Sequence, residues 1–366
     1  HPPIGKWLIA LGIKLFGDNE FGWRFMAALL GSLMIVIIAL IAHRLFRNSF
    51  LTIAASALMA MDGLALVHSR TALLDIYLAF FILLATYLFL MRWHWWAGIA
   101  LGLAISTKWS ALYYLALFAV VALYRTFTHN TGKDLIRPTI KTVLQYALIP
   151  LSIYITSWAG WFVSNRGWAR DYSANVINSF IYYHSQMLGF HTGLTEKHAY
   201  QANPWSWLIM GRPTSFFYET PKDCGADKCS QEVLALGTPI LWWVGTVAIA
   251  VVIGFWIKSF VQKRYEPPLN VIVAGIAAGY LPWFFFQKRT TFSFYAIVFE
   301  PFLILAIIYC IYVALLHFEN KRNTYVIVGS IGFVIFINFI FFLPLFTGDV
   351  ITYDSWQARM WLPSWI

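Results

Sequence analysis

Residues 22–42 read GWRFMAALLGSLMIVIIALIA, with Arg24 as the single charge. About 20 apolar residues, rising about 1.5 Å each, cover the roughly 30 Å of hydrocarbon in a bilayer. The run is therefore a membrane span. Runs of this kind recur at 50–67, 72–91, 95–106, 111–124, 143–162, 238–257, 269–286, 292–316 and 325–346, ten in all. The fourth and fifth are short, with Lys108 in a tight turn between them, and the second carries Asp62 inside it. Composition agrees. The 366 residues are 60% hydrophobic and 11% charged, whereas soluble domains carry about a quarter charged residues. A disordered chain, a collagen-like fibre and a nucleic-acid-binding module are excluded. The net charge of +10 is scattered between apolar runs and forms no basic stripe.

The connecting loops orient the spans. With the first span running outside to inside, the short inside loops hold Arg44, Arg47, Arg92, Arg125, Lys133, Arg137, Lys141, Lys258, Lys263, Arg264, Lys321 and Arg322. The short outside turns hold only Arg70, Lys108, Lys288 and Arg289. Lys and Arg in short loops mark the cytoplasmic side. Residues 1–17, HPPIGKWLIALGIKLFG, are too short to span and read as an amphipathic helix on the outer surface. Residues 163–237 form a long outside loop rich in Trp, Tyr, His and Gly, which divides the chain into membrane regions 1–162 and 238–366. An unstructured connection of that length without a function is unusual. The outer face is where chemistry is expected.

In that loop Cys224 and Cys229, within PKDCGADKCSQE, read as a small disulfide in an oxidising compartment, with a metal pair as the rival reading. No residue set requires a metal or cofactor. His184, His191 and His198 recur every seven residues, but Gly189 and Gly193 argue against one continuous helix. Charges at membrane depth are costly and tend to mark function. Arg70 and Asp75, in VHSRTALLD, are either a snorkelling turn pair or the fork for a phosphate. Lys108, in STKWSALYY, reads as a snorkelling lysine above an aromatic belt or as an anion contact, and Lys288 and Arg289 stand at an outer turn against the charge trend. Asp62 and Glu300 could hold a bend, pair with an arginine or relay protons. There is no Gly-rich phosphate loop, HExxH or GxSxG motif.

Taken together, HPPIGKW, VHSRTALLD, TKWS, YHSQMLGFHTGL, YQANPWSWLIMGRP, FYAIVFEP and WQARMWLPSWI, in that order along the chain, resemble the motifs of the protein O-mannosyltransferases. The resemblance implies an all-α integral membrane enzyme of the GT-C class, nearest the shorter actinobacterial-type enzymes, since 163–237 is too small for the sugar-binding-like insert of eukaryotic members. It implies eleven spans, one of them before His1. The chain starts without a methionine and reads as a fragment or a trimmed sequence. The family's catalytic Asp-Glu loop lies upstream of the HPP element, so the chain as given is expected to be inactive.

The implied reaction moves mannose from a polyprenyl-phosphate mannose to a Ser or Thr hydroxyl of a translocating protein, with inversion. A carboxylate takes the hydroxyl proton and cations stabilise the departing phosphate. Arg70 matches the family's functional arginine, and Asp75 is expected to orient it. Lys108 and Arg289 are candidate phosphate contacts, and His1 and Lys6 are expected to shape the acceptor or donor side of the cleft. A transferase acting on lipid or glycan shares this topology. A transporter would show paired broken helices across two halves, and no such symmetry is present.

Overall fold

The computed structural model describes residues 1–222 and 224–366. Six of its helices are long and apolar enough to cross a membrane, or seven if one bent pair counts as a single span. In order the helices are α1 (Ile4–Phe16), α2 (Glu20–Phe46), α3 (Ser49–Ala60), α4 (Gly63–Ser69), α5 (Leu74–Leu90), α6 (His94–Ile105) and α7 (Ala111–His129). There follow α8 (Ile136–Val143), a π-helical segment Leu144–Leu148, α9 (Ile149–Ser157), α10 (Ala159–Val163) and α11 (Val176–Gly193). The chain ends with α12 (Pro239–Val261), α13 (Pro267–Tyr280), α14 (Glu300–His317), α15 (Lys321–Thr347) and the short α16 (Tyr353–Gln357). All ten apolar runs fall on helical segments. α2, α7, α12, α14, α15 and α13 with its 3₁₀ extension are the six long ones, α3 and α4 make the bent pair, and α5 and α6 are shorter.

The chain is not wholly helical. A three-stranded antiparallel sheet is built from β1 (Thr214–Glu219), β2 (Cys229–Ala235) and β3 (Val350–Thr352), with β2 in the centre. Short strands of mixed polarity fall below any periodicity signal, and β3 lies over a hundred residues from its partner. The sheet ties the loop to the segment after α15, with Cys229 opposite Thr352. Cys224 and Cys229 are joined as a disulfide at the start of β2.

The break between α3 and α4 bends the chain by 62° at Asp62. Without water, backbone groups freed by such a break must find partners inside the protein. Asp62 supplies them. One carboxylate oxygen accepts from the amides of Leu64 (2.7 Å) and Ala65 (3.2 Å), capping α4. The other accepts from the amide of Thr238 (3.2 Å) and the indole of Trp242 (2.7 Å). The Thr238 hydroxyl closes the knot by donating to the Met61 carbonyl and accepting from the Gly63 amide. Of the roles open to Asp62, holding a bend is the one its contacts fill. Gly31 lets α2 approach α4, since a Cβ there would lie 2.0 Å from Ser69 Oγ.

Candidate active site

Lys108 lies in the turn between α6 and α7 and does not snorkel. It is buried, with Nζ 2.8 Å from Asp75 Oδ1 and 4.1 Å from the centroid of Tyr295, and Asp75 is buried with it. α5 begins at Leu74, so Asp75 is in its first turn, where a carboxylate suits the helix dipole. A cation this dry needs both a carboxylate and a π-face to offset its lost hydration.

Tyr295 stacks on Trp283 (4.9 Å, 26°), and the Arg289 guanidinium lies over the other ring at 5.7 Å. Lys108 and Arg289 therefore flank one aromatic wall. Arg289 is buried, and its Nε has no hydrogen-bond partner among the described residues. Asp75, Tyr295 and Trp283 also line a small cavity with Ser110, Tyr113 and Gly279.

The outer helix and the loop close on the same turn. The amide of Ile4 donates to the Ser106 carbonyl, fixing α1 beside Lys108. The His1 ring packs against that of His191 (4.4 Å, tilted by 31°), and Lys6 Nζ donates to the His1 carbonyl at 3.3 Å while staying exposed. Trp109, next to Lys108, donates to the Tyr154 hydroxyl (3.0 Å), which meets His184 Nε2 at 2.7 Å. Seven residues are two helical turns, so His184 and His191 share the face of α11 that Trp109 meets. Gly189 does not interrupt α11, whereas His198 lies beyond its end against Phe292. Tertiary contacts outweigh the propensity cost of one glycine. Burial, with the positive charges of Arg289 and Lys108, pushes the His191 imidazole down. Burial also lowers His184.

Arg70 is placed differently from expectation. Its partner is the Phe346 carbonyl at the end of α15 (2.8 Å), and Asp75 orients Lys108 instead of Arg70. The break after α4 and the new start at Leu74 turn the two side chains towards different neighbours, which a five-residue spacing cannot foretell.

Three residues escaped the sequence reading. His68, two before Arg70, is buried against Phe216 and Phe294 with Nε2 unpartnered among the described residues. Its place in VHSR was the available signal. Tyr295 and Trp283 carried none beyond being aromatic near Lys288 and Arg289. Among the described residues no group of three His, Cys, Asp or Glu side chains could hold a metal.

Residues 6–162 match the family described as dolichyl-phosphate-mannose-protein mannosyltransferase, and residues 176–365 match the C-terminal four-span region of protein O-mannosyltransferase. The chain belongs to the protein O-mannosyltransferase family. A polyprenol-phosphate-mannose–protein mannosyltransferase of Mycobacterium tuberculosis is 31% identical over the whole chain and 80% of its own length. That of Corynebacterium glutamicum is 33% identical, over the whole chain and 81% of its length. Among solved structures, a Saccharomyces cerevisiae protein O-mannosyltransferase complex, Pmt1–Pmt2 bound to the sugar donor, superposes with a TM-score of 0.85. It covers all of this chain and 86% of that one at 15% identity, a likeness of fold. This family member is thus a multi-pass membrane protein with a GT-C-type fold.

Proposed function

We propose that this protein transfers mannose from a polyprenyl-phosphate mannose to Ser or Thr hydroxyls of translocating proteins, with inversion, at the extracytoplasmic face. Two relatives, each aligned over this whole chain, are named for that donor and for protein as acceptor. The observation that carries the reading to particular residues is the buried Lys108–Asp75 pair on the same aromatic wall as Arg289. The departing group is a lipid phosphate, and fixed cations in a dry site stabilise its charge far better than mobile ones in water.

Lys108 and Arg289 contact the phosphate in this reading, and Asp75 holds the ammonium in place without taking the acceptor's proton. Arg70 spends one of its five N–H donors on Phe346 and keeps the rest for the donor. His1 and Lys6 shape the rim of the cleft beside His191. The orientation rests on the distribution of Lys and Arg among the short loops. The same reading takes all ten apolar runs as spans.

The test is an assay of membranes expressing the full gene product, with labelled polyprenyl-phosphate mannose and a Ser/Thr-rich peptide, beside Arg70→Ala and Lys108→Met. Losing one fixed donor to a developing charge costs on the order of 100-fold in rate, and that is the expected drop in each variant. Label that reaches lipid or glycan but never peptide would replace the acceptor assigned here. Undiminished transfer by Arg70→Ala would return Arg70 to an interfacial anchor.

A further inference from the structure

At the other end of α6 from Lys108 lies an open cavity of about 390 Å³, lined by Arg92, Trp93, His94, Trp95, Trp96, Lys141 and Gln145. Two cations face it, and neither Arg92 nor Lys141 has a carboxylate partner or a side-chain hydrogen bond among the described residues. Gln145 is only 4% exposed overall, and its amide, which has no hydrogen-bond partner among the described residues, is open to the cavity that the residue lines. Water or a ligand in the cavity supplies the partner that this amide lacks within the chain.

The backbone is built around this opening. Arg92 holds a left-handed φ of 61°, uncommon for a residue with a side chain. Gln145 lies in the π-helical segment, a local widening that recurs at functional sites. At Gly98 a Cβ would lie 2.0 Å from the Gln145 carbonyl, so only glycine lets α6 close against that segment. The wall is fastened by His94 Nδ1 and the Tyr146 hydroxyl at 2.7 Å.

We propose that this cavity binds the phosphate of an anionic bilayer lipid, a phosphatidylglycerol-type headgroup. Two cations and an amide donor suit a phosphate diester. The surroundings favour a lipid over a free ion. Trp93, Trp95 and Trp96 are exposed at 52%, 43% and 62%, as tryptophans at a membrane interface are. Ile140 and Val143, on either side of Lys141, are exposed apolar neighbours along which acyl chains can lie. Basic pockets between membrane helices are a known way of holding such headgroups.

The experiment is native mass spectrometry of the detergent-solubilised full gene product titrated with dioleoyl phosphatidylglycerol, dioleoyl phosphatidylcholine or inorganic phosphate. The anionic lipid is expected to bind at least about tenfold more tightly than the zwitterionic one. Arg92→Ala/Lys141→Ala should weaken it roughly 30-fold, at about fivefold for each of the two juxtamembrane cations, and Gln145→Leu severalfold with every charge retained. The control is Lys263→Ala/Arg264→Ala, which removes two exposed cations near Tyr265, itself bonded to Arg125. It should leave binding unchanged. An equal loss in that control would make the attraction diffuse and overturn the site. So would equal affinity for the two lipids, binding indifferent to Arg92 and Lys141, or complete displacement of the lipid by millimolar inorganic phosphate, which would assign the cavity to a free anion. Unaltered melting of each variant shows that a loss is of ligand and not of fold.

Discussion

The two ends of α6 carry the same kind of charge in opposite states. At one end Lys108 is buried, held by Asp75 at 2.8 Å and covered by Tyr295, beside a cavity of about 10 Å³. At the other, Arg92 and Lys141 stand exposed around about 390 Å³ with no carboxylate to meet. A lysine alone does not decide which state it takes. What decides is whether the fold brings a carboxylate and a ring within reach, and here both come from elements distant in sequence. The closed end has its charge held in place by its own partners. The open end keeps its cations hydrated, and a ligand there must displace water from both.

The sharpest way to break the comparison is to remove the carboxylate. Asp75→Ala leaves the Lys108 ammonium buried and alone, an arrangement that costs about 3–5 kcal/mol. Melting in detergent should fall by far more than for any variant at the open end. Asp75→Leu/Lys108→Met, which removes both charges, should recover most of the loss. A single variant as stable as the parent would mean that Lys108 reaches water. Asp62→Ala comes next. Its carboxylate serves four neutral donors and no cation, so its loss should cost about 2–3 kcal/mol through the missing cap and the stranded Trp242 indole. Asp62→Asn, which keeps an acceptor, should lose less. Equal losses in the Ala and Asn variants would remove the cap from the account.

Much of this was legible in the sequence, and the failures have physical reasons. Every apolar run became helix because hydrocarbon leaves the backbone few alternatives. Lys108 was visible in its turn, and Arg289 and Arg70 at theirs, because charges are rare in such a chain. Their partners were not visible. The α3–α4 break sends Arg70 to Phe346, a contact spanning 276 residues, and no local spacing encodes it. The Tyr295–Trp283 wall needs α13, α14 and the segment between them in place. The sheet was missed because β3 has three residues and finds its register only beside β2. Lys108 is kept from snorkelling by Asp75, which lies 33 residues away in sequence.

A proton on His191 would bring a further positive charge to the closed end. His191 faces Lys108 and Arg289, and its pKa is lowered from 6.5, first by burial. The unfolded chain therefore binds a proton in the window just below pH 6.5 that the folded chain refuses. Stability should be unaffected above pH 6.5 and fall as the pH drops through that window. The ring is half-exposed, so solvent screening reduces the effect to roughly 1 kcal/mol. His191→Gln should flatten that part of the melting-versus-pH curve, and a slope unchanged by the substitution would place the proton elsewhere.

The smallest effect is the most telling for the open end. Arg92→Ala/Lys141→Ala, measured without added lipid, should shift stability by less than about 0.5 kcal/mol, because exposed charges with no partner lose little when removed. A gain is as acceptable as a loss, since deleting two neighbouring cations relieves their mutual repulsion. A loss of several kcal/mol would show that these side chains hold α6 against the π-helical segment themselves. The two ends would then be alike, with cations serving the fold at both.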